Sequence, residues 1–480
     1  MTVFGEMAAC VRAMADERLR VAVIGAGAAG LCAARHILAK QDLFAPPAVF
    51  ESAEQIGGTW VYREGPSVTE DEFPVSSSMY RDLRTNLPKE IMAFPDHAFS
   101  SSLPSFIHHQ DVLRYLQSYA ERFGILEYVK FHCLVESVKP VLSTIEHERV
   151  TWDITVRHAR NSPERVTERF HAVMVCSGHY SDPYIPPIPG MEEFEGCLLH
   201  SHSYRSPEPF SGQTVVLLGA GPSGIDIALE LSAVAERVIL SHGKSPLSCQ
   251  LPGNLFQAPV VLRLSRHSVT FEDGSEHRVD AFIFCTGYNY RFPFLGGDVG
   301  LRADKDLLYP LYKHLVHARF PTLFFIGVCK TIVPFPFFDR QARFALAVLA
   351  GSCPLPPTTR MEAEVEAEYR CFLGSGGRPK HFHRMDSLQW SYSRDLATAG
   401  GFPQLLPVIQ KIYEMVKASR VQDIIGYKKI NVFILGPEEC RLEKGTGQRA
   451  VLQPEALLED RGPATSSANQ VKTDTCCVSK

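Results

Sequence analysis

The sequence predicts an α/β fold with two Rossmann-like dinucleotide-binding domains, and three observations carry that prediction. Val21-Ala-Val-Ile-Gly25-Ala-Gly27-Ala28-Ala29-Gly30 sets a GxGxxG triplet directly after an apolar run. Val215-Val-Leu-Leu-Gly219-Ala-Gly221-Pro222-Ser223-Gly224 does the same a second time. Ala48-Val-Phe50-Glu51 then ends another apolar run on a carboxylate, about twenty residues beyond Gly30. Short, wholly apolar runs that give way to helix-forming stretches are the pattern of strands buried on both faces of a parallel sheet.

Each element has a physical reason. The first glycine of each triplet permits a tight turn. The second lets backbone approach a pyrophosphate, and the third lets helix pack on strand. The helix N-terminus then presents free N–H groups and the positive end of the dipole to phosphate. At the first triplet, Glu51 suits ribose hydroxyls and would repel a 2′-phosphate, so this site should take FAD or NAD. The alternative is a solvated strand end. At the second triplet the corresponding strand, Val238-Ile-Leu240, runs into Ser241-His242-Gly-Lys244. A hydroxyl, an imidazole and an ammonium with no acid suit a 2′-phosphate, which points to NADPH. A plain polar loop is the competing reading there. Two dinucleotides in one chain imply electron transfer from a nicotinamide to a flavin.

Between the two triplets lies Phe194-Glu-Gly196-Cys-Leu-Leu-His200-Ser-His-Ser-Tyr204. It fits FxGxxxHxxxY at every fixed position and resembles the identifying motif of flavin-containing monooxygenases. Further stretches are similar to that family: Ile56-Gly57-Gly58-Thr59-Trp60, Leu83-Arg-Thr85-Asn86-Leu-Pro, Val175-Cys-Ser177-Gly178-His179, Ile283-Phe-Cys-Thr286-Gly287-Tyr288, and Phe325-Ile-Gly327 with Gln341 beyond. The resemblance spans about residues 19–435 and is strongest to the soluble GS-OX-like branch.

The resemblance implies cofactor contacts at Gly25, Gly27, Ala28, Ala29, Gly30, Glu51, Gly58, Thr59, Trp60, Thr85, Asn86, Gly327 and Gln341 on the flavin side. On the nicotinamide side it implies Gly219, Gly221, Pro222, Ser223, Gly224, Ser241, His242 and Lys244, with Thr286 and Gly287 joining the cofactor contacts. It puts the Asn86 amide beside flavin C4a as the catalytic side chain. A turn-forming role before Pro88 is the alternative for Asn86. The implied reaction has NADPH reduce FAD, dioxygen add at C4a, and an amine nitrogen or a sulfide sulfur take one oxygen atom from the resulting hydroperoxide. Two features depart from the family pattern: His242 and Lys244 stand where an arginine is common, and Asp339 stands where glutamate is usual. Tyr204 replaces the tryptophan of Baeyer–Villiger relatives and favours heteroatom oxygenation. A Baeyer–Villiger enzyme, an uncoupled NADPH oxidase and a non-oxygenating nucleotide-binding flavoprotein are the alternatives.

The motifs also set the expected domains: an N-terminal extension (1–18), an FAD-binding domain (19–207 and 320–437), an NADPH-binding domain inserted into it (208–319), and a disordered polar tail (438–480). Strand candidates at Val215–Leu218, Val238–Leu240, Ser268–Phe271 and Ala281–Cys285 support a sheet in the inserted domain. Helical segments near Ser387–Leu396 and Leu405–Ser419 read as packing for the flavin domain.

Composition is that of an ordinary enzyme. With 480 residues, 45% hydrophobic content and a net charge of −4, nothing points to nucleic acid. No stretch reaches roughly 18 uncharged apolar residues, so no membrane span is expected. The 13 cysteines show neither CxxC nor metal-ligand spacing. That argues for a reducing, cytoplasmic setting and against a bound metal or a dithiol reductase. The expected partners are a small amine or sulfide and dioxygen, with a homodimer as the assembly carried forward.

Overall fold

The computed structural model describes residues 18–64, 77–142, 150–158, 164–304 and 307–444. Most of the N-terminal extension, and the tail beyond residue 444, lie outside these.

The first sheet grows from Val21–Ile24, four fully apolar residues that are all buried. Ala48–Phe50 and Ala172–Val175 pair with it in parallel, one on each side. Leu323–Phe325 extends the parallel set, and Leu311–Tyr312 and Val316–His317 close one edge of the seven-stranded sheet in antiparallel fashion. A parallel neighbour requires a crossover. The helix Ala28–Leu38 supplies it, packing its small residues against Pro334–Leu349 within a single buried cluster.

The second sheet has five strands, all parallel, in the order Leu255–Ala258, Arg237–Ser241, Thr214–Leu218, Ala281–Phe284, Cys197–His200. Helix Pro222–Leu231 follows its central strand. The molecule is thus a mixed α/β structure with two largely parallel sheets.

Three features differ from expectation. Ser268–Phe271 does not join the parallel sheet: it pairs antiparallel with Val261–Leu264 and Glu276–Arg278. Its burial alternates residue by residue, as a strand with one covered face requires. The boundaries of the inserted unit also move. Cys197–His200, expected in the flavin domain, is an edge strand of the second sheet, whereas 311–317, expected in the NADPH domain, pair within the first. Finally, the tail does not lose structure at residue 438. Cys440–Lys444 pairs with Ile430–Ile434, and Leu442 is buried.

Helices Thr358–Gly374, Leu388–Gly400 and Pro407–Gln422 form most of the C-terminal segment. Among the described residues no helix is long and apolar enough to cross a membrane.

Candidate functional site

The first glycine triplet makes a cradle whose dimensions follow from missing side chains. Gly25 sits at φ +100°, and a Cβ there would lie 2.8 Å from the Cys176 carbonyl oxygen. A Cβ on Gly30 would come within 1.8 Å of the Gly25 carbonyl oxygen, so only glycine lets the helix settle on the strand. Gly27 is different: its Cβ would clear the nearest atom, Gly58 Cα, by 3.6 Å. Gly27 therefore keeps open a space rather than a contact. The N–H groups of Ala28, Ala29 and Gly30 precede the first intrahelical bond, Leu31 N–H to Gly27 C=O at 3.0 Å, and face that space unpaired within the helix.

Around this cradle the other flavin-side residues are held by backbone. Glu51 accepts the Ala26 N–H through Oε2 and the Ala53 N–H through Oε1, both at 2.8 Å. The Ser52 hydroxyl also donates to Oε1, at 3.4 Å, so the buried carboxylate is fixed at the end of its strand with a lone pair of Oε2 left to offer. The loop Gly58–Trp60 is pinned by Gly57 N–H to Ala26 C=O at 3.1 Å and by the Ser77 hydroxyl, which donates to the Thr59 carbonyl at 3.0 Å. Thr85 is buried and doubly tied to Ile107: its N–H donates at 2.8 Å and its Oγ1 accepts at 3.1 Å. The next residue, Asn86, is exposed, and its amide makes no hydrogen bond to any described residue. Gln341 is wholly buried. It accepts from Gly327 N–H at 2.8 Å and donates to the Tyr392 hydroxyl at 2.9 Å, so it braces the Gly327 turn from behind.

The second triplet repeats the first in detail. Gly219 sits at φ +113° with the Cys285 carbonyl oxygen 2.6 Å from a would-be Cβ, and a Cβ on Gly224 would meet the Gly219 carbonyl oxygen at 1.8 Å. Gly221 again borders open space, with nothing within 4 Å. Pro222 opens the helix, and Ser223 and Gly224 supply its first free N–H groups.

The three polar residues beyond the adjoining strand are not equivalent. Ser241 is fully buried and donates to the Pro259 carbonyl at 2.6 Å. His242 is buried, with Nδ1 accepting the Lys244 N–H at 3.3 Å and Nε2 on Gln257 Oε1 at 3.2 Å. Only Lys244 is exposed, its Nζ 3.3 Å from the Ala220 carbonyl inside the glycine turn.

The FxGxxxHxxxY stretch is built into the second sheet, its edge strand and its helix. Phe194 packs into the cluster around Val216 and Phe282. Gly196 lets the chain pass the Asp280 carbonyl, which a Cβ would approach to 2.5 Å. His200 Nε2 donates to the Gly287 carbonyl at 3.1 Å, and Tyr204 donates to Glu230 Oε2 at 2.9 Å. Thr286, beside Gly287, donates its hydroxyl to the Tyr184 carbonyl.

Sequence reasoning missed the acidic side chains of the second helix. Asp226 takes the Tyr80 hydroxyl and the Lys428 ammonium, each at 2.5 Å. Burial, then the charges of Asp82 and Asp226, push the Glu230 carboxyl up to about 7 against the lowering bond from Tyr204. No local pattern announces these pairs, because the partners come from distant parts of the chain.

Cys32, His36 and Asp339 are the group among the described residues whose ligand atoms lie within 4.8 Å of one another. Their chemistry does not suit a cation. Asp339 is already bonded to His36 at 2.7 Å, Arg340 at 2.6 Å and Arg343 at 3.1 Å. Two guanidinium charges repel a metal ion.

With two matched cradles on two parallel sheets in view, the chain belongs to the flavin-binding monooxygenase-like family, whose profile matches residues 18–247 and 245–375. Among its relatives, senecionine N-oxygenase of Tyria jacobaeae is 30% identical over 453 residues, covering 92% of this chain and 95% of the relative. Flavin-containing monooxygenase FMO GS-OX-like 4 of Arabidopsis thaliana is 36% identical over 400 residues, covering 79% and 87% respectively. Among solved structures, S-allyl-L-cysteine S-oxygenase from Allium sativum superposes with a TM-score of 0.79 at 32% identity, covering 86% of this chain and 95% of that one. The protein is therefore an oxidoreductase, an FAD-dependent monooxygenase that uses NADPH.

Proposed function

We propose that FAD seats in the cradle of Gly25, Gly27 and Gly30, that NADPH seats in that of Gly219, Gly221 and Gly224, and that the enzyme oxygenates soft nitrogen or sulfur in small molecules. The observation that carries this reading is the paired geometry. In each cradle the first and third glycines are sterically obligatory, while the second borders space that a side chain would fill. Two such seats of Rossmann type, one inserted in the other, accept a flavin and its nicotinamide reductant.

The surrounding residues divide the work. Ala28, Ala29 and Gly30 offer N–H groups to the FAD pyrophosphate, and the fixed Glu51 carboxylate faces its ribose. Gly58, Thr59 and Trp60 wall the seat, with Trp60 set edge-on to Phe335 at 6.3 Å. Ser223 and Gly224 do for NADPH what Ala29 and Gly30 do for FAD. Gln341, Ser241 and His242 act as scaffold, since their polar atoms are spent on protein partners. Asn86 brings to the reacting atoms an amide that no described residue hydrogen-bonds, on a loop that Thr85 holds in place.

Bound FAD supplies the electron transfer and the activation of dioxygen. Overall, substrate, dioxygen, NADPH and a proton yield the oxygenated substrate, water and NADP⁺. The relatives' names span an N-oxygenase and an S-oxygenase, so both classes are substrates to try. The described cysteines are all free thiols, which fits a reducing compartment such as the cytoplasm. The test is a turnover screen of tertiary amines and alkyl sulfides, reading the N-oxide or sulfoxide by mass spectrometry. Absence of oxygenated product from every amine and sulfide would contradict the assignment.

A further inference from the structure

Asn86 follows a peptide unit that is held at both ends. The Thr85 N–H donates to the Ile107 carbonyl at 2.8 Å, and the Arg84 carbonyl across the same peptide plane accepts from Lys428 Nζ at 3.1 Å. A planar unit tied on both sides cannot rotate without losing a bond, so it fixes the direction in which the chain enters Asn86. The clasp is reciprocal. Arg84 returns a bond from Nη2 to the Lys428 carbonyl at 3.1 Å, and its guanidinium also donates to the Phe106 carbonyl, from Nε at 3.2 Å and from Nη2 at 2.7 Å.

Lys428 lies 344 residues from Arg84 in sequence and reaches it from the short turn Tyr427–Lys429. That turn is seated firmly. Tyr427 is buried and meets Phe106 edge-on at 5.4 Å, and beyond it the Val432 N–H donates to the Ser105 hydroxyl at 2.8 Å. The same Lys428 ammonium bonds Asp226 Oδ1 at 2.5 Å, and the other oxygen of that carboxylate takes the Tyr80 hydroxyl at 2.5 Å. Asp226 belongs to Pro222–Leu231, the helix that opens at the second cradle, two residues past Gly224. One ammonium, on a side chain only 14% exposed, thus joins the Asn86 loop to the helix of the second cradle through charge-assisted bonds.

We propose that Lys428 is a positioning residue for oxygen transfer: it holds the Asn86 loop in register with the second cradle, so that substrate oxygenation keeps pace with NADPH oxidation. This rests on the readings that Asn86 meets the reacting atoms and that the second cradle holds NADPH. Lys428 acts through Arg84 and Asp226. A misplacement of about 1 Å at reacting groups costs on the order of a hundredfold in rate, so loosening the loop penalises oxygen transfer and spares nucleotide binding.

The experiment uses FAD-loaded full-length protein with saturating NADPH, dioxygen and an alkyl sulfide or tertiary amine that the wild-type enzyme turns over, and reads product formed per NADPH consumed. Lys428→Met removes both ammonium bonds and keeps the main-chain carbonyl for Arg84. Asp226, 27% exposed, retains the Tyr80 hydroxyl and reaches water. The ratio should fall roughly tenfold, with hydrogen peroxide making up the difference, while KM for NADPH stays within about twofold of wild type. Lys417→Met removes another ion pair of the C-terminal segment, from Lys417 Nζ to Asp386 Oδ1 at 2.7 Å, and should leave the ratio unchanged. Asp226→Asn removes the carboxylate charge and keeps its shape. It should lower the ratio in the same direction, and it carries the test if Lys428→Met does not fold. A wild-type ratio in folded Lys428→Met or Asp226→Asn, or an equal fall in Lys417→Met, would overturn the proposal. The double variant Asn86→Ser with Lys428→Met should be no worse than Asn86→Ser alone, because both act on one step, and additive losses would contradict that. If Asn86→Ser itself leaves the ratio unchanged, the catalytic reading of Asn86 has failed. A fall in Asn86→Ser with none in Lys428→Met removes the positioning role alone.

Discussion

The imidazole of His200 donates through Nε2 to the Gly287 carbonyl at 3.1 Å, while its Nδ1 accepts the His202 N–H at 3.0 Å. One nitrogen must carry a proton and the other must not, so the ring serves only when neutral. Burial, then the neighbouring His202, pushes its pKa down to about 4. The fixed histidine of the FxGxxxHxxxY stretch is thus a strut between the edge strand of the second sheet and the glycine turn that follows Phe284.

A stability profile follows from that strut. The unfolded chain protonates His200 near 6.5, the native one near 4, so the unfolded state binds more protons between these values. The contribution is present above about pH 6.5 and is lost as pH falls toward 4. Its size is of the order of 3 kcal/mol for this buried ring. His317, held near 4, and His179, held near 3, both by burial first, add in the same direction. Thermal melts from pH 7 to 4.5 should show a falling Tm, and His200→Gln should flatten part of that slope. An unchanged slope in the variant would remove His200 from the account.

The glycines should fail in two different ways. Gly27→Val has room in the protein and should fold, yet it fills the space proposed for the FAD pyrophosphate, so the protein should purify without yellow colour. Gly30→Ala puts a Cβ 1.8 Å from the Gly25 carbonyl oxygen, so it should damage folding itself, seen as a lower Tm or insoluble protein. A fully yellow Gly27→Val protein would move the flavin elsewhere.

Much of this was legible in the sequence, and the reasons are local. The strand Val21–Ile24, the helix Ala28–Leu38, the start of Pro222–Leu231 and the position of Glu51 follow from short-range patterns that leave one geometry open. Ser241 and His242 show the limit of local reading, because a polar residue at a strand end looks the same in sequence whether it faces ligand or bonds Pro259 and Gln257, as these two do. The resemblance marks Gln341 as a flavin contact, and its burial behind Gly327 emerges only in three dimensions.

Lys244 and Ser241 should separate under kinetics. Lys244→Ala removes the proposed charge-assisted contact to the 2′-phosphate, worth about 1.5–3 kcal/mol, so KM for NADPH should rise on the order of tenfold or more while that for NADH holds. Ser241→Ala should keep the NADPH preference, because its hydroxyl is spent on Pro259. A loss of preference in Ser241→Ala with none in Lys244→Ala would reverse the assignment.

Asn86 should control coupling. Among the described residues its amide has no hydrogen-bond partner, so a turn-shaping role has no hydrogen bond there to rest on. Asn86→Ser keeps a small polar residue but shortens the reach. NADPH consumption should continue while oxygenated product falls and hydrogen peroxide makes up the difference. An unchanged product yield in a folded, FAD-replete variant would take Asn86 off the catalytic list.

The most direct test of the central claim is the ratio of oxygenated product to NADPH consumed by the wild-type enzyme under heavy-isotope dioxygen, with an amine and a sulfide in parallel. The account predicts a ratio near one for at least one of them, with the inserted atom drawn from dioxygen. NADPH consumption matched by hydrogen peroxide for both, with no labelled product, would show an oxidase and contradict the account.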